Sequence, residues 1–300
     1  MKYINLIILL CFTLLAINFV RYPLLNISSI FSLNIPENNS KIEVSELLKK
    51  AADYCRKLES SSLFFVCKEK IIERIYYSIP EKSKPYLRKG VFTWGYLIED
   101  FKIHKYIYDY QLIRVGDYIQ EKRDLLEEDG KKQHLKNAPL KTKIFENKYV
   151  LFGPIGLISN EAQNHHEYKL IKEEKINGLK CLVLHAIPRS SSPKNHLFGK
   201  VWVSKEDGSV LKIHWDQESI GNYEKILEIA DKLNAKPNIT LISEYNVEKK
   251  GIRFPSTCYS KEEYIHPRYG NITVSETQVS YSDYRYFVVE TEVKFRKDDS

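Results

Sequence analysis

Two stretches in the second half of the chain decide the fold: YKLIKEEKINGLKCLVLHAI over Tyr168–Ile187 and KVWVSKEDGSVLKIHW over Lys200–Trp215. Each stretch contains two runs rich in β-branched and aromatic residues. The runs are separated by Asn177-Gly178 in the first stretch and by Asp207-Gly208 in the second. Such dipeptides supply the positive φ angles that tight hairpin turns need. Strands joined by so short a turn must be antiparallel neighbours, so both stretches are predicted to be β-hairpins.

The same strand pattern continues in both directions from these hairpins. Leu241–Val247 and Ile252–Tyr259 flank Lys250-Gly251 and predict a third hairpin. Elsewhere apolar residues recur at every second position, which is typical of a strand with one buried and one wet face. These residues are Leu63, Phe65, Cys67, Ile71 and Ile75 in one segment, Tyr106, Tyr108, Tyr110 and Leu112 in another, and Phe287, Val289, Val293 and Phe295 near the C-terminus.

Two segments have helical periodicity instead. Ser45–Leu58 has one apolar stripe, and a second stripe runs from Ile220 to Leu233. Residues 131–141 are polar and are predicted to form a loop, and Phe152–Gly156 is predicted to be a turn. The predicted fold class is therefore α+β and mainly β: a large curved antiparallel sheet or unclosed β-barrel of roughly nine to eleven strands, with one N-terminal helix and one late inserted helix.

The N-terminus has the pattern of an export signal. Lys2 precedes an apolar run, Ile4–Val20, which is interrupted only by Asn5, Thr13 and Asn18. Such a run fits a cleaved signal peptide, and it is also just long enough to remain as a membrane anchor. We expect residues 1–21 to be a signal peptide or signal anchor, residues 22–42 a linker and residues 43–297 one β domain. The protein is then exported to the periplasm or cell envelope, with residues 4–20 either removed or kept in the inner membrane.

Composition and motifs argue against several classes of function. The chain has 46 basic and 39 acidic side chains, but Lys and Glu interleave along it, whereas a nucleic-acid protein concentrates positive charge in a patch. The sequence has no nucleophile elbow, phosphate-binding loop, HExxH or CxxC motif. We therefore predict a non-enzymatic protein with no catalytic residues, no metal site and no cofactor, and no nucleic-acid partner.

The cysteines leave two interpretations open. Cys55 lies on the predicted N-terminal helix and Cys67 on the strand that follows it. In an exported protein a disulfide between them would join the helix to the sheet and contribute roughly 2–3 kcal/mol. The alternative is that both are small buried hydrophobic residues.

Aromatic residues suggest where a ligand could bind. Tyr106, Tyr108 and Tyr110 share one face of a strand, and Trp202 and Trp215 lie on other strands. Together with Trp94 they could line an apolar cavity, because a large curved sheet can enclose more than its own side chains. The alternative is that they fill a packed core.

This arrangement of signal, helix, long antiparallel sheet and late helix resembles the LolA/LolB/RseB-like group of periplasmic lipoprotein-carrier domains. The resemblance covers about Ser45 to Phe295 and rests on short patterns: Val201–Lys205 with Val210–Ile213, Tyr281–Arg285 with Val289–Phe295, and Tyr54–Leu58 with Phe65–Glu69.

The resemblance implies an unclosed barrel with helices on its concave face. It also implies an apolar cavity for a lipid, an acyl chain or a lipoprotein. A second hypothesis is an envelope sensor or scaffold that contacts a membrane protein, with the protein partner unknown. A third, less favoured, is an envelope hydrolase. Besides the lipid or lipoprotein, the membrane itself becomes a partner if the N-terminal segment is not cleaved.

Overall fold

The structure is a computed structural model that describes residues 37–77, 101–116, 118–145, 150–189, 198–221 and 223–286. The chain divides into two units, residues 1–40 and 41–300, and the β-sheet belongs to the second. The predicted signal run 4–20 and the predicted last strand 287–295 lie outside the described residues. In the described part, no helix is long and apolar enough to cross a membrane.

Eleven antiparallel strands form one open sheet, which confirms the predicted fold class. The strands are β1 Phe65–Tyr76, β2 Phe101–Val115, β3 Tyr118–Glu128, β4 Lys131–Leu135, β5 His166–Ile176, β6 Leu179–Pro188, β7 Gly199–Ser204, β8 Val210–Trp215, β9 Lys236–Glu244, β12 Thr257–His266 and β13 Gly270–Tyr286. A separate hairpin pairs β10 Val247–Lys249 with β11 Ile252–Phe254. The order of the strands in the large sheet is β4-β3-β2-β1-β13-β12-β9-β8-β7-β6-β5.

The predicted hairpins are present. β5 pairs with β6 across Asn177-Gly178, and β7 pairs with β8. The third predicted hairpin is divided into two pairs of strands. β9 pairs with β12 in the large sheet, and β10 pairs with β11 in a separate short hairpin. The predicted loop at 131–141 is wrong at its start. Residues Lys131–Leu135 form β4, which pairs with β3 as a polar edge strand.

Four helices accompany the sheet in the described residues. Helix α1, Glu37–Ser62, is longer than the predicted Ser45–Leu58. Helix α2, Gly153–Ile158, replaces the predicted turn at 152–156, and helix α3, Asn160–His165, follows it. Pro154 suits this position, since proline is tolerated in the first turn of a helix. The late helix α4, Tyr223–Lys232, packs Ala230 against Tyr264 and Ile272.

The main core lies on one face of the sheet, which we call the inner face. Helix α1 contributes Leu47, Ala51, Cys55 and Leu58 to it. The helix backbone lies directly against Gly208 in the β7–β8 turn, where an added Cβ would lie 2.5 Å from the carbonyl carbon of Lys50. Only glycine fits there, because the turn also requires a φ of +72°.

Candidate functional site

The predicted tyrosine stripe is buried on the inner face of β2. Tyr106, Tyr108 and Tyr110 are each at most 5% exposed. The Tyr106 hydroxyl donates to the carbonyl oxygen of Lys141 at 3.3 Å, and the Tyr108 hydroxyl accepts from the Lys141 amide at 3.2 Å. Burial raises the pKa of Tyr106 to about 12, so its hydroxyl stays protonated at neutral pH. The stripe is therefore an aromatic surface on which the hydroxyls of Tyr106 and Tyr108 bind another part of the chain.

That other part belongs to the connection between β4 and β5, of which residues 136–145 and 150–165 are described. Because β4 and β5 are the two edges of the sheet, this connection must run from one edge to the other. We call it the crossing segment, and we call residues 138–145 the strap. Ala138 and Phe145 of the strap are buried in the main core, and the Lys141 ammonium pairs with Glu128 at 2.6 Å. The strap thus covers the inner face at β1 and β2.

Glu73 on β1 fastens the strap. Its carboxylate is fully buried and accepts three backbone N–H groups, from Lys143 at 2.9 Å, Ile144 at 2.9 Å and Phe145 at 3.0 Å. A buried carboxylate is stable only where its charge is met by donors. Here the donors come from a segment without regular secondary structure, so Glu73 and the strap satisfy each other's buried polar groups.

The rest of the crossing segment continues toward the opposite edge. The Tyr245 hydroxyl donates to the carbonyl oxygen of Val150 at 2.7 Å, and the Tyr168 hydroxyl donates to that of Leu157 at 2.6 Å. Gly153 passes so close to the sheet that an added Cβ would lie 3.1 Å from a ring carbon of Trp215. Since Tyr168 is on β5 and Trp215 on β8, this half of the segment covers the other half of the inner face.

A buried ionic cluster supports the stripe next to the strap. Arg123 on β3 contacts both carboxylate oxygens of Glu69, at 2.6 and 3.1 Å, and Glu121 at 2.8 Å. Burial raises the pKa of Glu69, and the charge of Arg123 opposes that shift. Burial lowers the pKa of Arg123, but the two carboxylates outweigh it and raise the pKa above the usual value, so the guanidinium stays charged. Tyr110 donates to Glu121 at 2.9 Å and joins the cluster to the stripe.

Sequence reasoning missed Glu69 and Glu73, although a signal for them exists. Both fall in the same period-two series as Phe65, Cys67 and Ile71, so the pattern that predicts β1 also places two carboxylates on its buried face. A charged residue at an apolar position of a strand indicates a buried partner, and here the partners are Arg123 and the strap.

The structure brings some of the predicted ligand-lining residues together and separates others. Trp215 lies in the main core with the tyrosines. Trp202 does not: it packs with Cys181, Val183 and Leu211 in a second cluster, where its indole N–H donates to Glu174 at 3.0 Å. Trp94 lies outside the described residues. A role for the remaining aromatic residues in holding a ligand stays a prediction.

The two cysteines of the predicted bridge are buried free thiols in this structure. Burial raises the pKa of both Cys55 and Cys67 to about 12. Each is thus placed as a small hydrophobic residue, and the disulfide stays a prediction for the oxidised protein.

No group of three His, Cys, Asp or Glu side chains in the described part of the chain could hold a metal ion. The closest arrangement to a catalytic pair is His185 Nε2 with Asp216 at 2.6 Å. Among the residues described, no serine, threonine or cysteine side chain hydrogen-bonds to that imidazole.

A groove of about 350 Å³ lies across β8, β9, β12 and β13, lined by Lys212, Glu244, Tyr259 and Gln278 among others, away from the tyrosine stripe.

Comparison with known proteins gives structural neighbours only. No protein-family model and no curated protein matches the chain. Similar solved structures include a putative outer membrane lipoprotein-sorting protein domain from Vibrio parahaemolyticus (12% identity, TM-score 0.36, covering 82% of this chain and 95% of that one). They also include a LolA superfamily protein from Nitrosomonas europaea (12%, 0.32, 82% and 94%) and the MucA/MucB complex of Pseudomonas aeruginosa (11%, 0.21, 77% and 93%). The first two carry names from the lipoprotein-carrier group that the sequence resembles.

Proposed function

We propose that this protein is a non-enzymatic binding protein of the cell envelope, which holds a lipid, an acyl chain or the acylated end of a lipoprotein against its inner face. One observation carries the proposal: the aromatic inner face is covered by a strap without regular secondary structure, which is held by hydrogen bonds to a few buried side chains and by the burial of Ala138 and Phe145. If such a cover detaches as a unit, it exposes the rings of the stripe together with the Glu73 carboxylate, which then needs donors from water or from a ligand headgroup.

The energies are compatible with exchange of the strap for a ligand. Hydrogen bonds to a charged group contribute about 1.5–3 kcal/mol each, so the three to Glu73 hold the strap with several kcal/mol. About ten buried methylene groups would provide ~8 kcal/mol of gross transfer free energy. The transfer free energy of an acyl chain is thus of the same order as the hydrogen bonds that it would replace, whereas a small polar metabolite provides no such term.

The proposal places the protein in the envelope because of the N-terminal apolar run, whether that run is cleaved or retained as an anchor. Its partners are then a lipid or lipoprotein. The absence of a recognisable nucleophile in the sequence supports binding rather than hydrolysis.

Native mass spectrometry of the purified protein tests the proposal. We expect a co-purified mass that matches a phospholipid or an acyl chain and is removed by organic extraction. Tyr108→Asp should reduce the bound fraction at least tenfold, whereas Tyr259→Asp, a tyrosine lining the separate groove, should not. Because Tyr108 is buried, a second readout is needed: an added lipid should change the amide exchange of residues 141–145 in the unmodified protein. An apo mass together with unchanged exchange would refute the proposal.

A second function is favoured by a different observation. The hydroxyls of all three stripe tyrosines are already hydrogen-bonded, and their rings are packed in the core. A packed interior leaves the outer surface to do the work, as in an envelope sensor or scaffold that contacts a membrane protein. Failure of the lipid experiment with an intact fold would favour this function.

A further inference from the structure

The middle of the inner face has a floor of small side chains. On β13, β12 and β9 the inward positions hold serine, threonine, cysteine and valine, whereas β2 and β8 present tyrosines and Trp215 to the same face. Side chains in protein interiors pack closely, so a row of small ones leaves room that other atoms must fill. We call these residues the small floor: Ser243, Cys258, Ser260, Ser275, Thr277 and Val279.

One hydroxyl of the small floor has no partner. Thr277 is 1% exposed, and its Oγ1 forms no hydrogen bond in the described part of the chain. Its register partners are Glu73 on β1 and Ser260 on β12, so Thr277 lies between the residue that fastens the strap and the rest of the floor. Ser243, by contrast, accepts from the Trp215 indole at 3.3 Å. A buried polar atom without a partner is rare in folded proteins, and a bound group that satisfies it is one physical reason for its presence.

The small floor is accessible at one end. Ser260 lies beside Thr277 but is partly exposed, and so is Glu262, the next residue of β12 on the same face. The strap reaches the β1 side of the floor at Phe145, where its amide bonds to Glu73. Helix α4 packs farther along β12, against Tyr264. A ligand that enters between the strap and α4 therefore meets Ser260 first and the Thr277 hydroxyl next.

The charges around the small floor disfavour an anion. Glu73 and Glu262 are the charged residues in register with its threonine and serines, and both are carboxylates. Glu73 already accepts from backbone N–H groups of the strap, and Glu262 accepts from the Tyr264 hydroxyl at 2.7 Å. Lys143 of the strap is exposed, and no ion pair joins it to either carboxylate in the described part of the chain. A carboxylate or phosphate bound at Thr277 would thus lie beside two negative charges, whereas an ester or amide carbonyl accepts from the hydroxyl without adding a charge.

We propose that the small floor is the subsite for the uncharged carbonyl that joins an acyl chain to its carrier, with the Thr277 hydroxyl as the hydrogen-bond donor. The inference rests on the proposed function and narrows its ligand: the inner face holds an acyl ester or acyl amide and discriminates against a free fatty acid. The carbonyl satisfies the buried hydroxyl, whereas the carboxylate of a fatty acid is repelled by Glu73 and Glu262. Thr277 is then a specificity-determining residue.

Native mass spectrometry of the full chain tests the subsite with probes of one acyl length. The probes are monomyristoylglycerol, N-myristoylglycinamide and myristate, added separately at about pH 8, where the carboxyl of myristate is ionised. We expect one or both uncharged probes to load at least about tenfold more than myristate. Preference for the ester indicates a glycerolipid, and preference for the amide indicates an acylated polypeptide. Equal loading of all three probes would overturn the subsite and leave the proposed function standing, whereas loading of none would overturn both.

Thr277→Val removes the hydroxyl and keeps the shape of the side chain. Loss of one hydrogen bond should lower the loading of the preferred uncharged probe about fivefold and leave that of myristate unchanged. Thr277→Ser keeps the donor and should retain the loading, and Thr240→Val makes the same change at an outer-face position of β9 as the matched control. Because the hydroxyl has no partner, Thr277→Val should not lower the melting temperature. Unchanged loading in Thr277→Val would show that the hydroxyl holds at most a water molecule and would overturn the proposal.

A second substitution tests the room above the small floor. Ser260→Leu fills the floor at its partly exposed end and should lower the loading of both uncharged probes at least about tenfold. Thr257→Leu adds a similar side chain to the outer face of the same strand and should leave loading unchanged. Equal loading in these two variants would place the ligand away from the small floor and overturn the proposal.

Discussion

Removal of the Glu73 carboxylate should release the strap without unfolding the sheet. Glu73→Ala leaves three backbone N–H groups, those of residues 143–145, without their acceptor. Each unsatisfied buried donor costs about 1–3 kcal/mol, and the strap can avoid this only by opening to water. We expect the free energy of opening of the strap to fall by about 3 kcal/mol. Hydrogen exchange at these three amides should therefore become roughly 150-fold faster, at 1.4 kcal/mol per factor of ten.

Hydrogen exchange measured by NMR or mass spectrometry checks this, with two comparisons. Glu73→Gln retains one acceptor oxygen and should accelerate exchange less than Glu73→Ala. Glu276→Gln, on the neighbouring strand β13 with a side chain that is 26% exposed, should change exchange at 143–145 by less than a factor of about three, because Glu276 bonds to Arg74 and Tyr259 rather than to the strap. Exchange in Glu73→Ala that equals that of the unmodified protein would show that Glu73 does not hold the strap.

Three further outcomes are expected. Arg123→Met leaves Glu69 buried without a counter-charge and should lower the free energy of unfolding by about 3–5 kcal/mol, measured by denaturant titration. Arg56→Met removes the exposed ion pair with Asp53 and should have little effect in the same titration. In a reduced Cys11→Ser protein, a thiol reagent should react with four thiols after denaturation and with almost none before it, because the thiols are buried and burial raises the pKa of Cys55 and Cys67 to about 12. If the protein isolated from an oxidising compartment has only two reactive thiols after denaturation, the predicted bridge is formed. Burial raises the pKa of Asp207, but hydrogen bonds from Ser204 and Ser209 outweigh burial, so the pKa in the folded protein is below the unfolded value. The ionised carboxylate therefore stabilises the fold above about pH 4, and this stabilisation is lost as pH falls through the folded pKa. Asp207→Asn should flatten the acid limb of a plot of melting temperature against pH.

The strand pattern was predictable where local chemistry decides it. Asn177-Gly178 and Asp207-Gly208 determine two hairpins by their backbone preferences alone, and the alternation in β1 and β2 follows from one buried face. The errors occur where tertiary contacts override local pattern. Residues 131–135 are polar, as in a loop, yet they form an edge strand. An edge strand pairs with only one other strand, here β3, so its polar side chains can stay in solvent. Residues 152–156 look like a turn, yet they form the start of a helix pressed against Trp215 and Tyr245.

In the candidate site, too, some features follow from the sequence pattern and others only from the tertiary structure. From the sequence alone, the period of two determined that Tyr106, Tyr108 and Tyr110 share a face. The same period in β1 contains the signal for Glu69 and Glu73, but their burial was not predicted. The sequence pattern could not determine that Trp202 faces away from the stripe, because which face of a strand is inner depends on its neighbours in the sheet. Nor could it reveal the strap. That β4 and β5 are opposite edges is a property of the strand order, and only this order makes residues 136–165 cross the sheet and bring the backbone of 143–145 to Glu73.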